Sequence, residues 1–276
     1  MTLSVVIITF NEEANIGRTL ASVQPLIADG KGEIIIVDSG STDRTVEIAK
    51  SYGAEVFIEE WKGYAAQKNS AINKATGDWI LSLDADEGLD QDLAASIGSL
   101  VLGRTRNTLQ KGVPTTQFAV VATSIAGFWM RRKNYFLGRW IMHGGFWPDP
   151  KLRLFRRGSG RVSDRTVHET VEIQGGTRAF ENGALLHHSY PTLADYLDHM
   201  NRYSSLGAEM AVAKGYRSFS FINIVLRPLA TFIYNYFFRL GFLDGREGLL
   251  LHLYHAVYVS WKYAKTWELS RNPPRN

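Results

Sequence analysis

Three apolar runs, each closing on a polar or acidic residue, constrain this chain more than any other feature. Leu3–Thr9 is a continuous run rich in β-branched residues. Glu33–Val37 repeats the pattern and stops at Asp38, and Trp79–Leu83 does so again and stops at Asp84. Runs this short and this apolar are expected of strands buried on both faces. Helix-length stretches separate them. Asn11 can cap a helix over 12–23, with Glu12 and Glu13 in its first turn where the helix dipole favours them. The turn Ser39-Gly40-Ser41-Thr42-Asp43 opens a helix through about Ser51, Ala54–Ile58 adds a strand, and Tyr64–Lys74 is helical. Strands alternating with helices of this length predict a parallel sheet with right-handed crossovers. Ligands of such sheets sit beyond the carboxyl ends of the strands, where Asn11, Asp38 and Asp84 all stand.

Beyond residue 100 the rhythm changes. Gly103–Pro114 is expected to be a loop leading to a strand at Gln117–Thr123, and 127–188 holds short strand-like pieces punctuated by Gly and Pro and dense in arginine. From Leu193 to about Leu269 the pattern is helical. Pro228 should kink or split a helix there, and Asp244-Gly245-Arg246-Glu247 has the form of a capping box. No internal repeat or low-complexity segment is present.

The 276 residues are 45% hydrophobic and 21% charged, which is a globular composition. The absence of cysteine removes a disulfide framework, a thiolate metal site and a cysteine nucleophile together. No basic segment precedes the first apolar run, so no secretory leader is expected. The net charge of +4 is unevenly placed. Residues 1–100 carry 7 Lys+Arg against 16 Asp+Glu, a balance of −9; residues 101–218 carry 17 against 8, or +9; residues 219–276 carry 7 against 3, or +4. A nucleic-acid partner is not expected of a chain whose principal ordered region is its most acidic.

The strongest local signal is Leu83-Asp84-Ala85-Asp86-Glu87, a strand emptying into three carboxylates. Two aspartates one residue apart at a strand end can turn toward one point, and Mg²⁺ or Mn²⁺ takes such oxygens while bridging to phosphate. The competing reading is an acidic turn capping a solvated helix. The other acidic strand ends favour the metal.

Three blocks in order, Val5-Val6-Ile7-Ile8-Thr9-Phe10-Asn11-Glu12-Glu13, Ile36-Val37-Asp38-Ser39-Gly40-Ser41-Thr42-Asp43 and Asp84-Ala85-Asp86, resemble the signatures of glycosyltransferase family 2. The resemblance covers about residues 1–100. It implies an α/β fold of GT-A type (a Rossmann-like, mostly parallel sheet flanked by helices), a nucleotide-diphosphate sugar donor, a divalent cation and inversion at the anomeric carbon. It also implies roles. Thr9 and Asn11 end the strand that holds the nucleotide, Glu12 or Glu13 reaches the base or ribose, and Asp38 contacts a uracil-type base. Gln67 and Lys68, on the helix after Gly63, line the nucleotide pocket, with Lys68 toward the diphosphate. Asp84 touches ribose or metal and Asp86 coordinates the metal.

A base must take the acceptor hydroxyl's proton, and the family supplies a carboxylate from the segment after the second aspartate. Val167-His168-Glu169 offers it here, with Glu169 as base and His168 orienting it or meeting acceptor. Asp86, Glu87 and Glu172 are the other candidates, and pairing of Glu169 with a nearby arginine is the plainer reading. Residues Trp140 to Arg157, taken with His168-Glu169, resemble the bacterial lipopolysaccharide-core glucosyltransferase branch of the family. Ten Lys+Arg stand between Arg131 and Arg165 against Asp149 and Asp164. Arginine forks bind phosphate, so this patch, Arg153 included, is expected to meet the donor diphosphate or a phosphorylated acceptor, with Trp140 and Trp147 stacking on sugar.

Phe219–Leu240 is apolar over about the length of a membrane span. Arg227 and Pro228 near its centre favour an interfacial position instead. Arg239, Lys262 and Lys265 are available to anionic head groups, and Tyr254, Tyr258, Trp261, Tyr263 and Trp267 are types that favour that boundary. A helical lid or a dimer face is the alternative. The expectation is therefore a metal-dependent inverting hexosyltransferase with three segments: 1–100 for the nucleotide sugar, 101–190 for the acceptor, and a helical, membrane-associating 191–276. It would move a hexose, glucose first, from a UDP-sugar to a lipopolysaccharide core or related envelope glycolipid, peripherally at the cytoplasmic face of the bacterial inner membrane. Alternatives are a polyprenyl-phosphate glycosyltransferase and a catalytically degenerate membrane-bound assembly subunit. A nucleotidylyltransferase is disfavoured, because Phe10-Asn11-Glu12-Glu13 stands where its glycine- and arginine-rich loop would be.

Overall fold

The computed structural model describes residues 1–28, 30–102, 125–163, 170–217 and 219–271. The expected loop and strand within 103–123, and the His168–Glu169 pair, lie outside the described residues. The chain divides into two compact units, Met1–Arg132 with Pro150–His187, and Lys133–Asp149 with His188–Asn276.

The first unit opens with β1 (Leu3–Thr9), α1 (Ile16–Ile27), β2 (Gly32–Asp38), α2 (Thr45–Ser51), β3 (Glu55–Ile58), α3 (Tyr64–Lys74) and β4 (Trp79–Asp84). There follow β5 (Glu87–Leu89), α4 (Gln91–Leu102) and β6 (Ile125–Met130). After β7 (Arg132–Phe136) and β8 (Arg139–Trp140), taken with the second unit, come β9 (Lys151–Arg156), β10 (Gly160–Val162), β11 (Val171–Ile173), β12 (Gly176–Ala179) and β13 (Leu185–Tyr190). Among the described residues the main sheet has the order β12-β6-β9-β4-β1-β2-β3. Strands β1 to β4 pair in parallel, while β9 runs antiparallel to both β4 and β6.

The unbroken apolar character of β1 has a direct cause. Successive side chains of a strand point to opposite faces, and here both faces are covered. Leu3, Val5 and Ile7 pack with Ile16, Leu20 and Val23 of α1, whereas Val6 packs with Ile35, Val37 and Ala65, Ala71 and Ile72 of α3. This is the expected α/β architecture of a mostly parallel sheet flanked by helices.

One boundary differs from expectation. Asn11 does not cap a helix: it adopts φ 54°, and its Oδ1 accepts the Thr42 N–H at 2.8 Å. The helix begins at Ile16, with Asn15 at the cap position. The side chain that sequence assigns to a local cap is spent on a neighbouring loop.

In the second unit β7 pairs with β8 through Tyr135–Trp140 and Phe136–Arg139. Phe136 and Ile141 share a small core with Tyr196 and Leu251. The helices are α5 (Leu193–Ala213), a π turn over Ile222–Leu226, α6 (Arg227–Ile233), a second π turn over Tyr234–Phe238, a 3-10 turn over Gly241–Asp244, and α7 (Gly245–Arg271). A Thr192–Asp195 capping box starts α5. Pro228 lies in the first turn of α6, directly after the first π turn, so the helix is divided where proline removes a donor. The segment from Arg217 to Phe238 runs back along α7. Ser270 Oγ donates to Arg217 O at 2.9 Å, Ser260 Oγ to Ile224 O at 2.8 Å and Arg227 to Tyr263 Oη at 2.7 Å. Tyr254, Tyr258, Trp261, Tyr263 and Trp267 are half-buried along α7. Lys265 donates to Asn201 and to Ser204 and Ser205 of α5. Asp244 is buried and accepts the backbone N–H of Met142 and His143 at 3.2 and 2.8 Å. Among the described residues, no helix is long and apolar enough to cross a membrane.

Candidate active site

Parallel registry brings three strand ends side by side, since Thr9 of β1 stands opposite Asp38 of β2 and Ile8 opposite Asp84 of β4. Asp38 is fully buried and wholly engaged. One oxygen accepts the N–H groups of Gly40 and Ser41 at 2.9 and 2.8 Å, and the other accepts the hydroxyls of Thr9 and Ser41 at 2.8 and 2.5 Å. It shapes the 39–42 loop, where Gly40 takes a positive φ of 88° that other residues adopt at a cost.

The loop after β1 is bonded to that loop. Asn11 N–H donates to Ser41 Oγ at 2.8 Å, Glu12 N–H to Thr45 Oγ1 at 2.7 Å and Glu13 N–H to Asp43 at 3.1 Å, while the Glu13 carboxylate accepts the Arg44 N–H at 3.0 Å. Burial pushes the Glu12 carboxyl above the ordinary carboxylate range, and the charges of Asp86, Asp43 and Asp84 push in the same direction. The Glu12, Asp84 and Asp86 carboxylates therefore share one electrostatic environment.

Helix α3 closes the other side. Gln67 is fully buried, its amide reaches Ser39 Oγ at 3.2 Å, and its carbonyl oxygen has no partner among the described residues. Lys68, also buried, places Nζ 2.7 Å from Asp84 Oδ1. The second oxygen of Asp84 is taken by Arg153 of β9, which also donates to Glu87 at 2.7 Å. Glu87 is fully buried and receives Arg132 at 2.9 Å as well. Positive and negative groups thus alternate along Lys68–Asp84–Arg153–Glu87–Arg132. Burial alone would raise the Asp84 carboxyl; Arg153 first, then Lys68 and Arg132, hold it well below the usual range. Burial likewise opposes the Arg153 charge, and Asp84 and Glu87 more than restore it.

Asp86 also meets an imidazole. Strand β13 pairs antiparallel with β5 so that His187 lies opposite Glu87, and His187 Nε2 comes 3.4 Å from Asp86 Oδ2. Among the described residues no three His, Asp or Glu side chains gather as a closed metal cage. One carboxylate and one imidazole, partly exposed and side by side, suit a divalent cation that completes its shell with phosphate oxygens and water.

The structure therefore brings Thr9, Asn11, Glu12, Glu13, Asp38, Gln67, Lys68, Asp84, Asp86 and Arg153 together along one edge of the sheet. Arg153 is a buried counterion of two carboxylates, not a member of an open basic surface. Other arginines of the basic stretch also bond within the fold: Arg131 donates to Glu181 O at 2.5 Å, Arg156 to Ile125 O at 3.1 Å and Arg157 to Gly77 O at 3.0 Å. Trp140 and Trp147 meet edge to face at 5.2 Å in the second unit. His187, Arg132 and the role of Glu87 were not evident from sequence. The apolar Leu185-Leu186 pair running into His187-His188 repeats the strand-then-ligand pattern, and is the signal that would have found the histidine.

An α/β sheet of this order, with its polar side chains collected where β1, β2 and β4 end, is a fold of GT-A type. A solved mannosyltransferase from Pyrobaculum calidifontis, in complex with GDP-mannose and Mn²⁺, has this fold, with a TM-score of 0.51 at 15% identity over 96% of this chain and 87% of that one. Residues 4–97 match the family model described as glycosyl transferase family 2. The lipopolysaccharide core biosynthesis glycosyltransferase LpsC of Rhizobium meliloti (strain 1021) is 30% identical over 272 residues, covering 96% of this chain and 92% of that protein. An uncharacterized glycosyltransferase of Rickettsia typhi, RT0209, is 29% identical over 97% of this chain and 87% of its own length. The chain belongs to glycosyltransferase family 2.

Proposed function

We propose that this glycosyltransferase moves a hexose, glucose first, from a UDP-sugar to a hydroxyl of a lipopolysaccharide core or a related envelope glycolipid, with inversion and with the help of Mg²⁺ or Mn²⁺. The observation that carries the reading is the strand-edge cluster in which Asp86 and His187 stand 3.4 Å apart beside the ion-paired Lys68, Asp84 and Arg153. The likeness to LpsC over nearly the whole chain supports the acceptor class.

The proposed roles combine the strand-end cluster with the family resemblance, which alone supplies those of Glu169 and His168. The 39–42 loop shaped by Asp38, with Asn11 and Gln67 beside it, receives the base and ribose. Lys68 and Arg153 bring positive charge to the diphosphate. Asp86 and His187 would hold the cation, which would neutralise charge developing on the leaving diphosphate. Glu169, oriented by His168, takes the proton from the acceptor hydroxyl as that oxygen bonds to the anomeric carbon. The bond to the diphosphate breaks on the opposite face, which inverts the centre and releases UDP. Residues 101–190 serve the acceptor, and the helical segment 191–276 keeps the enzyme peripherally on the cytoplasmic face of the inner membrane.

A thermal-shift series with UDP-, GDP- and dTDP-sugars, with and without Mn²⁺, tests the donor. The largest stabilisation is expected from a UDP-sugar with Mn²⁺, and a metal-independent preference for GDP-mannose would refute the reading. Glu169→Gln is expected to lose at least about a hundredfold in turnover while keeping UDP affinity. Unchanged turnover would remove Glu169 as base and favour a lipid-phosphate acceptor, which needs no such proton transfer.

A further inference from the structure

The helical unit presents a face that its own packing does not cover. Arg217–Phe238 and α7 form an antiparallel pair, as Phe219 against Trp267 (5.3 Å between ring centres) and the Ser260–Ile224 and Arg227–Tyr263 bonds establish. The inner side of the pair is thereby satisfied. On the outer side Phe221, Ile222, Leu229, Ile233, Phe237 and Phe238 are all exposed, Ile222 by 63% and Phe238 by 75%. Exposed apolar residues thus recur through the segment from Phe221 to Phe238, across both π turns. A contiguous apolar surface of this kind marks a binding face.

Charge identifies the occupant. From residue 210 to 243 the sequence holds Lys214, Arg217, Arg227 and Arg239 and no acidic residue. All four cations are exposed. Arg239 lies over Tyr234 at 5.5 Å, next to Phe237 and Phe238, and Arg227, also exposed, lies over the Tyr263 ring of α7 at 5.3 Å. A second copy docked face to face would set these cations against their equivalents with no carboxylate from the stretch between them, which disfavours it. An anionic phospholipid surface answers both halves of the pattern, its acyl region taking the rings and its phosphates the arginines.

We propose that the outer face of residues 221–238 lies in the plane of an anionic phospholipid leaflet, with Phe221, Ile222, Phe237 and Phe238 entering the acyl region. This rests on the membrane-associated reading above and gives it a location. The contact is made by this segment and not by the aromatic residues of α7, which are occupied in packing.

The absence of cysteine permits single labels. Environment-sensitive NBD is attached to Leu229→Cys, Phe238→Cys and, as an exposed control on the first unit, Lys50→Cys of the full chain, and vesicles of phosphatidylethanolamine and phosphatidylglycerol are added. NBD at 229 and 238 is expected to brighten about threefold or more and shift to the blue, as for a label entering the acyl boundary, while the label at 50 does not change. In flotation, Ile222→Asp/Phe238→Asp is expected to lose about tenfold in vesicle binding with its thermal midpoint retained, because both positions are exposed. If the wild type floats and the double variant floats equally well, the proposed face is wrong although membrane association stands. If the wild type does not float, both fall. Equal binding to purely zwitterionic vesicles, or NBD brightening that follows protein concentration without vesicles, overturns the anionic lipid as occupant.

Discussion

Asp84 and Asp86 are two residues apart, and each meets a partner supplied by a distant strand. Asp84 is claimed by Lys68 and Arg153, whereas Asp86 faces an imidazole. Two predictions belong at this scale. Asp86→Asn or His187→Ala is expected to weaken Mn²⁺-dependent UDP binding by about tenfold or more, the scale of a lost metal-site partner. Calorimetric titration with and without Mn²⁺ would measure it, and metal-free UDP binding should change little. Glu87→Gln is a stability variant. It leaves Arg132 and Arg153 buried against a neutral amide, and breaking a buried pair of this kind costs about 3–5 kcal/mol, readable in the urea midpoint. The two aspartates were legible because they end an apolar strand. Their partners were not, because His187 and Arg153 reach them only through pairing between strands far apart in sequence.

At the level of elements, the long strands could be read from sequence because each carries its own evidence: β-branched side chains on both faces with a polar terminus. Strands β5, β10 and β12 are three or four residues long. They exist by virtue of partners elsewhere, so no local pattern announces them. The start of α1 was misplaced for a related reason, since an Asn suited to a cap found a better acceptor role across the loop. One junction sets an acid response. Glu59, just after β3, is bonded to Lys74 at 2.7 Å, to Ser70 at 2.8 Å and to Lys62 at 3.2 Å. Lys74 chiefly, with Ser70, lowers its carboxyl to about 2 from an ordinary 4.5. The folded state therefore prefers the ionised form; the stability this contributes is present above pH 4.5 and is lost as pH falls toward 2. The thermal midpoint of Glu59→Gln should accordingly fall less steeply than wild type across that window, measured by scanning calorimetry.

For the whole molecule, the charge imbalance along the chain has a structural meaning that composition alone did not give. Of the acids in the first hundred residues, Asp84 and Glu87 are matched by arginines contributed from later strands, Arg153 and Arg132. In the basic middle Arg132 and Arg153 meet those carboxylates, while Arg131, Arg156 and Arg157 donate to backbone carbonyls. What remains unmatched is the positive, aromatic surface of the helical unit. Sequence thus located the excess charge, while which arginine meets which acid depends on strand order.

The bonds joining the 10–15 and 39–45 loops have one more consequence. Asn11 to Thr42, Glu12 to Thr45 and Glu13 to Arg44 tie two connections that would otherwise fluctuate independently into one rigid wall. If the donor binds at these strand ends as proposed, it would meet loops already bonded to each other, with less disorder left to be lost on association. Recognition on that side would then work by rejection, a molecule of the wrong outline finding the two loops already committed to each other.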